Sequence, residues 1–266
     1  MSKFEVLCAT MHQSDFSKIQ QMNIQSDVIF ANQSDRTCME SMEFGNYHAR
    51  MITTDTRGVG INRNLALLYA QGDICLFADD DVIYADGYMQ TILDEFERHP
   101  KSDVIVFNVP STNKDPRQKD YIAKRWKRLN ILNCFRHGTF RIAVRRNQIM
   151  KNNIYFTSLF GGGARYSAGE DSLFLADCIR SGLRIYESNR TIGNVTHMES
   201  TWFRGYTDKY FRDKGAFYAC FSKRIPFLWC LQFAIRRRKL YCAEKSFFEA
   251  CRLMYQGIQE FRTYRQ

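Results

Sequence analysis

DICLFADDDVIY, residues 73–84, sets an unbroken apolar run directly against three consecutive aspartates. Residues 73–78 read as a strand covered on both faces, because a strand with one wet face would alternate polar and apolar side chains. Working outward, residues 4–10, 27–32 and 102–109 read as further strands, and residues 14–22, 60–71 and 86–98 as helices. Strands and helices alternating at this spacing predict an α/β fold, a mainly parallel sheet flanked by helices. In such sheets ligands bind beyond the carboxyl ends of the strands, which is where Asp79, Asp80 and Asp81 stand.

Beyond this half, residues 111–130 are polar and basic and predict a surface loop running into a basic helix. Residues 138–144 and 183–187 predict two more strands, the glycine-rich 160–165 a flexible turn, and residues 172–179 an amphipathic helix closed by Ser181-Gly182. From Thr207 onward the pattern is helical, broken at Pro226. The apolar run at 225–235 is too short for a spanning helix, which needs about 20 residues. There is no internal repeat.

The 266 residues, 45% of them hydrophobic, are a core-building composition and exclude a disordered chain. The N-terminus lacks the basic, apolar and small-residue sequence of a signal peptide, so a cytoplasmic location is expected. Nine scattered cysteines without a C-x-x-C pair point to reduced structural thiols, not to disulfides or zinc. Of the 38 Lys/Arg and 28 Asp/Glu, residues 201–266 hold 14 and 5, so nearly all of the net charge of +10 is C-terminal. That tail also carries 17 of the 38 aromatic residues, a mixture suited to an anionic membrane surface or to nucleic acid, or to solvated faces over an aromatic core.

Two acidic motifs carry the chemistry. On an extended segment Asp79 and Asp81 would face the same way and Asp80 the other, and two converging carboxylates suit Mg²⁺ or Mn²⁺, which complete their shells with water and substrate phosphates. The plain alternative is an aspartate-rich turn capping the next segment. Gly169-Glu170-Asp171 opens the helix at 172–179, where N-terminal carboxylates are favoured by the helix dipole whether or not they act on a substrate.

The stretches EVLCAT (5–10), RGVGINRNLALLYAQGDICLFADDDVIY (57–84), GGGARYSAGEDSLFLADCIRSGLRIY (161–186) and VTHMESTWFRGY (195–206), in this order, resemble the inverting family 2 glycosyltransferases of the GT-A, Rossmann-like fold, in particular bacterial ones of surface-polysaccharide assembly. The resemblance implies a nucleotide-sugar donor, a UDP-sugar in the first instance, a divalent metal (Mn or Mg), and an acceptor hydroxyl on a saccharide or lipid-linked saccharide of capsule, O-antigen or exopolysaccharide. It implies Asp171 as the catalytic base with Glu170 beside it, and Asp79 as a donor contact. Asp81 and Asp79 would be metal ligands with His197 joining them, and Thr10, Asn32, Arg63 and Asp80 would line the donor site. Arg204 and Lys209 would be lid or diphosphate contacts. The division it implies is a catalytic domain at 1–206, its nucleotide-sugar half at about 1–110 and its acceptor half at 111–206, followed by a helical extension at 207–266.

Two departures stand out. After the second strand this chain has Asn32-Gln33-Ser34-Asp35 where the family commonly has an acidic pair, which bears on base specificity. It also lacks the Q-x-x-R-W motif and the spanning helices of processive members, so a single transfer per acceptor is expected. The competing readings are a basic nucleic-acid-binding module, suggested by the tail and KRWKR at 124–128, and a D-x-D phosphatase, whose aspartates usually follow the first strand. The transferase reading expects no nucleic acid, leaves a homo-oligomer open, and puts the enzyme at the inner face of the cell membrane. An apolar wedge at 225–235, with Phe227 and Trp229, lies between Lys223-Arg224 and the basic run 236–239.

Overall fold

Strand β1 (Phe4–Met11) shows why this chain builds a two-faced sheet: Val6 and Cys8 join one buried apolar cluster and Leu7 the other. The computed structural model describes residues 2–112, 121–196 and 205–264. It divides into two units, Met1–Ser158 with Glu170–Glu199, and Leu159–Gly169 with Ser200–Gln266.

In the first unit, β1 is followed by α1 (Lys18–Gln21), β2 (Asp27–Gln33), β3 (Cys38–Phe44), β4 (Tyr47–Thr54), α2 (Val59–Tyr69), β5 (Ile74–Asp79), β6 (Val82–Tyr84) and α3 (Tyr88–Arg98). Then come β7 (Val104–Asn108), β8 (Lys127–Arg128), β9 (Ile142–Arg145), α4 (Arg146–Lys151), α5 (Glu170–Arg180), β10 (Ile185–Thr191) and β11 (Gly193–Val195). One sheet has the order β3-β4-β2-β1-β5-β9-β7-β10-β8, and β11 and β6 form a two-stranded sheet. The pairings run β4, β2, β1, β5, β7 and β10 in one direction and reverse only β3, β9 and β8, so the sheet is mainly parallel, as the alternation predicts.

Apolar side chains cover both faces. Phe30, Leu76, Ile92 and Phe107 lie in one cluster and Ile29, Phe77, Val106 and Phe174 in the other. A single buried Leu- or Phe-sized side chain contributes roughly 1.5–3 kcal/mol, so the two clusters are the main source of the sheet's stability.

Three local expectations are corrected. Residues 38–54 form the β3–β4 hairpin at the sheet edge, unforeseen because Cys38–Phe44 is exposed along nearly its whole length and carries no apolar alternation. Among the described residues there is no basic helix before residue 130. Lys127–Arg128 pairs with β10 instead, and Trp126 stacks between His99 and Tyr186, with ring centroids at 3.7 and 4.9 Å. Burying an indole on two flat partners outweighs the weak helix propensity of a charged run. The aspartate triplet is not extended: β5 ends at Asp79, and Asp80-Asp81 form the turn into β6.

The second unit consists of the glycine-rich 159–169 segment with α6 (Asp208–Phe221), α7 (Pro226–Arg236), α8 (Arg238–Tyr241) and α9 (Phe247–Tyr264). Thr207 caps α6 by accepting from the Tyr210 N–H. Phe160 stacks on Tyr166 at 4.8 Å and packs against Phe217 and Phe261, which ties the 159–169 segment to α6 and α9. The α6 and α9 backbones approach through two glycines, since a Cβ on Gly215 would strike the Met254 carbonyl and one on Gly257 the Arg212 carbonyl. Among the described residues no helix is long and apolar enough to cross a membrane.

Candidate active site

At the carboxyl end of β1, Thr10 is buried and its hydroxyl donates to Asn32 Oδ1 at 3.3 Å. Asn32, at the same level of β2, is fully buried; it accepts from the Gln13 N–H and donates to the Gln13 carbonyl and to Thr53 Oγ1. Its amide therefore braces the backbone that leaves β1. Asn62, one residue before Arg63 on α2, donates to the Thr10 and Ala31 carbonyls at 3.1 and 2.6 Å and locks this helix onto the strand ends. That anchor was not foreseen from sequence, although its place beside Arg63 was a usable signal.

Arg63 links the two acidic motifs. Its guanidinium donates to Asp79 Oδ1 at 2.8 Å and to Glu170 Oε1 at 2.9 Å, from positions 16 and 107 residues away in sequence. It is only 5% exposed and lies over the Phe156 ring, 5.5 Å from its centroid. Burial alone would lower its pKa, but Asp79 and Glu170 outweigh that and hold it above its ordinary value. A planar fork with donors on two sides can hold two carboxylates at once, which an ammonium cannot do with the same geometry.

Gly169, at φ +130° in a conformation that L side chains rarely adopt, turns the chain so that Glu170 and Asp171 occupy the first turn of α5. Asp171 Oδ1 accepts from the Ser172 N–H at 2.6 Å. Burial, and next the neighbouring Glu170 charge, push its carboxyl up to about 7, against the pull of the Ser172 N–H and of Arg63. A carboxyl with that pKa can take up a proton near neutral pH.

The triplet itself is strongly negative. Burial first, and then the charges of Asp80 and Asp79, push the Cys8 thiol well above its ordinary range. Lys18 partly offsets this charge: its Nζ donates to the Asp80 carbonyl at 3.0 Å and lies 3.6 Å from the Asp80 carboxylate. The Asp81 carbonyl accepts from the Thr196 N–H, which joins the triplet to the end of β11.

The oxygen-only donor set suits Mg²⁺ or Mn²⁺, but Asp79 Oδ1 is taken by Arg63 and Asp80 has Lys18 nearby. Among the described residues no three His, Cys, Asp or Glu side chains gather as a ligand cage. The residues present therefore fit a cation held by one or two of the triplet's carboxylates, with the rest of its shell left to substrate oxygens and water.

Thr10, Asn32, Arg63, Asp79, Asp80, Asp81, Glu170 and Asp171 all belong to the first unit. Lys209 belongs to the second, paired with Asp213 at 2.6 Å and donating to the Arg165 carbonyl. His197 and Arg204 lie outside the described residues.

Residues 32–215 match Glycosyl transferase family 2. No curated protein matches the chain. Among solved structures, S. aureus TarS 1–349 in complex with UDP-GlcNAc is similar at a TM-score of 0.62 and 13% identity, over 98% of this chain and 92% of that one. The same fragment in complex with UDP gives 0.62 at 15% identity, over 97% and 81%. A longer S. aureus TarS chain gives 0.58 at 15% identity, over 90% of this chain and 44% of that one.

Proposed function

We propose, from the premise that this chain belongs to glycosyl transferase family 2, that it moves a sugar from a nucleoside diphosphate donor to an acceptor hydroxyl with inversion at the anomeric carbon. The observation that carries the reading is the Arg63 clamp, which joins the aspartate turn after β5 to the acidic start of α5. Donor diphosphate and acceptor hydroxyl are the two groups that these two acidic elements would serve.

In this reading the Asp171 carboxylate accepts the acceptor's hydroxyl proton as that oxygen bonds to the anomeric carbon and the bond from that carbon to the diphosphate oxygen breaks. General base catalysis of this kind contributes about 10²- to 10⁴-fold. Glu170, held by Arg63, lies beside Asp171 and helps push the Asp171 carboxyl up. A divalent cation held by Asp81 and Asp79, with His197 as a further ligand, would supply charge stabilisation to the leaving diphosphate. Thr10 and Asn32 shape the floor under the nucleoside, and Asp80 and Lys18 flank it.

UDP is the favoured nucleotide, since TarS, of the same fold, is crystallised with UDP and with UDP-GlcNAc. The acceptor is a saccharide or lipid-linked saccharide of a bacterial surface polysaccharide at the inner face of the cell membrane, and one sugar is transferred per encounter. The test is release of nucleoside diphosphate from a panel of nucleotide sugars with and without Mn²⁺, with Asp81→Ala and Asp171→Asn as controls. The anomeric configuration of the product would be read by NMR. A retained configuration, or full transfer by Asp171→Asn, would sink the reading.

A further inference from the structure

Helix α7 turns an apolar face outward. Pro226, Cys230 and Ala234, spaced four apart, are its buried side, whereas Phe227, Leu228 and Ile235 are 43%, 57% and 61% exposed. Trp229 is not part of the outer face: its ring packs on Phe221 at 5.2 Å and stacks toward Tyr218. That corrects the wedge drawn from sequence alone, which counted the indole among its members. The Phe227 ring meets that of Tyr255 on α9 edge-on.

A helix on the surface of a compact unit ordinarily points polar side chains at water, and a row of large apolar ones marks an interaction surface. The charges around this row identify its partner. Between Ser222 and Ala243 the chain has six cations, at 223, 224 and 236–239, and no acid. All six are exposed, and among the described residues none of them forms an ion pair. An apolar strip with a cationic collar at both ends matches the boundary of an anionic bilayer, where acyl chains lie beneath phosphate headgroups. A nucleic acid would use the cations and leave the strip in water.

We infer that α7 is a membrane-docking surface, lying in the plane of an anionic lipid leaflet with Phe227, Leu228 and Ile235 among the acyl chains and the cations of 223–224 and 236–239 on lipid phosphates. The inference deepens the proposed function by naming the surface that would bring the enzyme to a lipid-linked acceptor. It rests on that reading only for its purpose, since the docking is physically independent of transfer.

The test is co-sedimentation of the full chain with vesicles of phosphatidylcholine alone or mixed with phosphatidylglycerol, at low and high salt. Donor hydrolysis in vesicle-free buffer is measured in parallel. Each cation engaged with an anionic leaflet is worth about fivefold in partitioning, so Arg236→Gln/Arg238→Gln/Lys239→Gln should lose about a hundredfold on anionic vesicles. Leu228→Ser/Ile235→Ser should also release the protein, and that release should persist at low salt, where the cations alone hold best. All substituted side chains are exposed, and unchanged melting curves establish that the variants fold.

Equal binding to both lipid compositions, or no binding to either, overturns the inference. So does a salt-resistant dimer that Leu228→Ser/Ile235→Ser dissociates, which would assign the face to a second copy, and so does RNA binding that competes with vesicles. Vesicle binding without donor hydrolysis would sink the proposed activity and leave the docking surface standing.

Discussion

Asp171→Asn should stabilise the folded chain above neutral pH while abolishing transfer. In the wild-type chain the Asp171 carboxyl is raised from an ordinary 3.8 to about 7. The folded state therefore binds more protons than the unfolded state between about pH 4 and 7, so stability falls as pH climbs through that window and the full cost is present above it. At 1.36 kcal/mol per pH unit that cost is roughly 4 kcal/mol. The amide replaces the charged oxygen without losing the Ser172 N–H, because its carbonyl oxygen can still accept that bond. Its NH₂ group must find a partner of its own, which returns about 1–3 kcal/mol. The net gain at pH 8 is then about 2 kcal/mol, a rise in Tm of roughly 4–8 °C at 2–4 °C per kcal/mol. At pH 5 only roughly 1.6 kcal/mol of the cost is present, which the amide's unpartnered NH₂ offsets, so the gain should vanish. Melting curves of both proteins at pH 5 and pH 8, followed by circular dichroism, decide the matter. A Tm difference that is the same at both pH values, or a variant less stable at pH 8, would show that Asp171 is not a charge held at a cost.

Arg63→Met should cost about 3–5 kcal/mol in urea unfolding, because Asp79 and Glu170 lose a shared buried partner, and adding Glu170→Gln should recover part of it. If Asp171 is the base, log kcat/KM should rise with unit slope below about pH 7 and level off above it; a flat profile from pH 5 to 8 would remove Asp171 from that role. Gly215→Ala and Gly257→Ala should each destabilise the helical unit by at least 1–3 kcal/mol in thermal melts, since each added methyl meets a carbonyl of the facing helix; neutral substitutions would mean that the two helices can separate freely.

The parallel half of the sheet is legible in the sequence because β1, β2, β5 and β7 are buried on both faces and each reads as a short apolar run between turn residues. The β3–β4 hairpin is not, because a solvent-facing edge strand has no hydrophobic pattern to read. The KRWKR stretch misleads for a different reason: its structure is decided by where Trp126 stacks, a contact made with residues 27 positions before it and 60 after it. At the site, residue types and order single out Asp79, Arg63, Glu170 and Asp171. What joins Asp79, Arg63 and Glu170 is long-range hydrogen bonding, invisible without coordinates, and the same holds for the amide of Asn32, which faces Thr10, Gln13 and Thr53.

The helical unit has a second piece far upstream, since residues 159–169 belong with 200–266. No single cut can excise it as a cassette. A chain shortened to its first 206 residues would keep Phe160 and Tyr166 but lose Phe217 and Phe261, the rings that shelter them, and the orphaned loop would be tethered one peptide bond from Glu170. Engineers who trade C-terminal halves between relatives of this protein would have to transplant both pieces together.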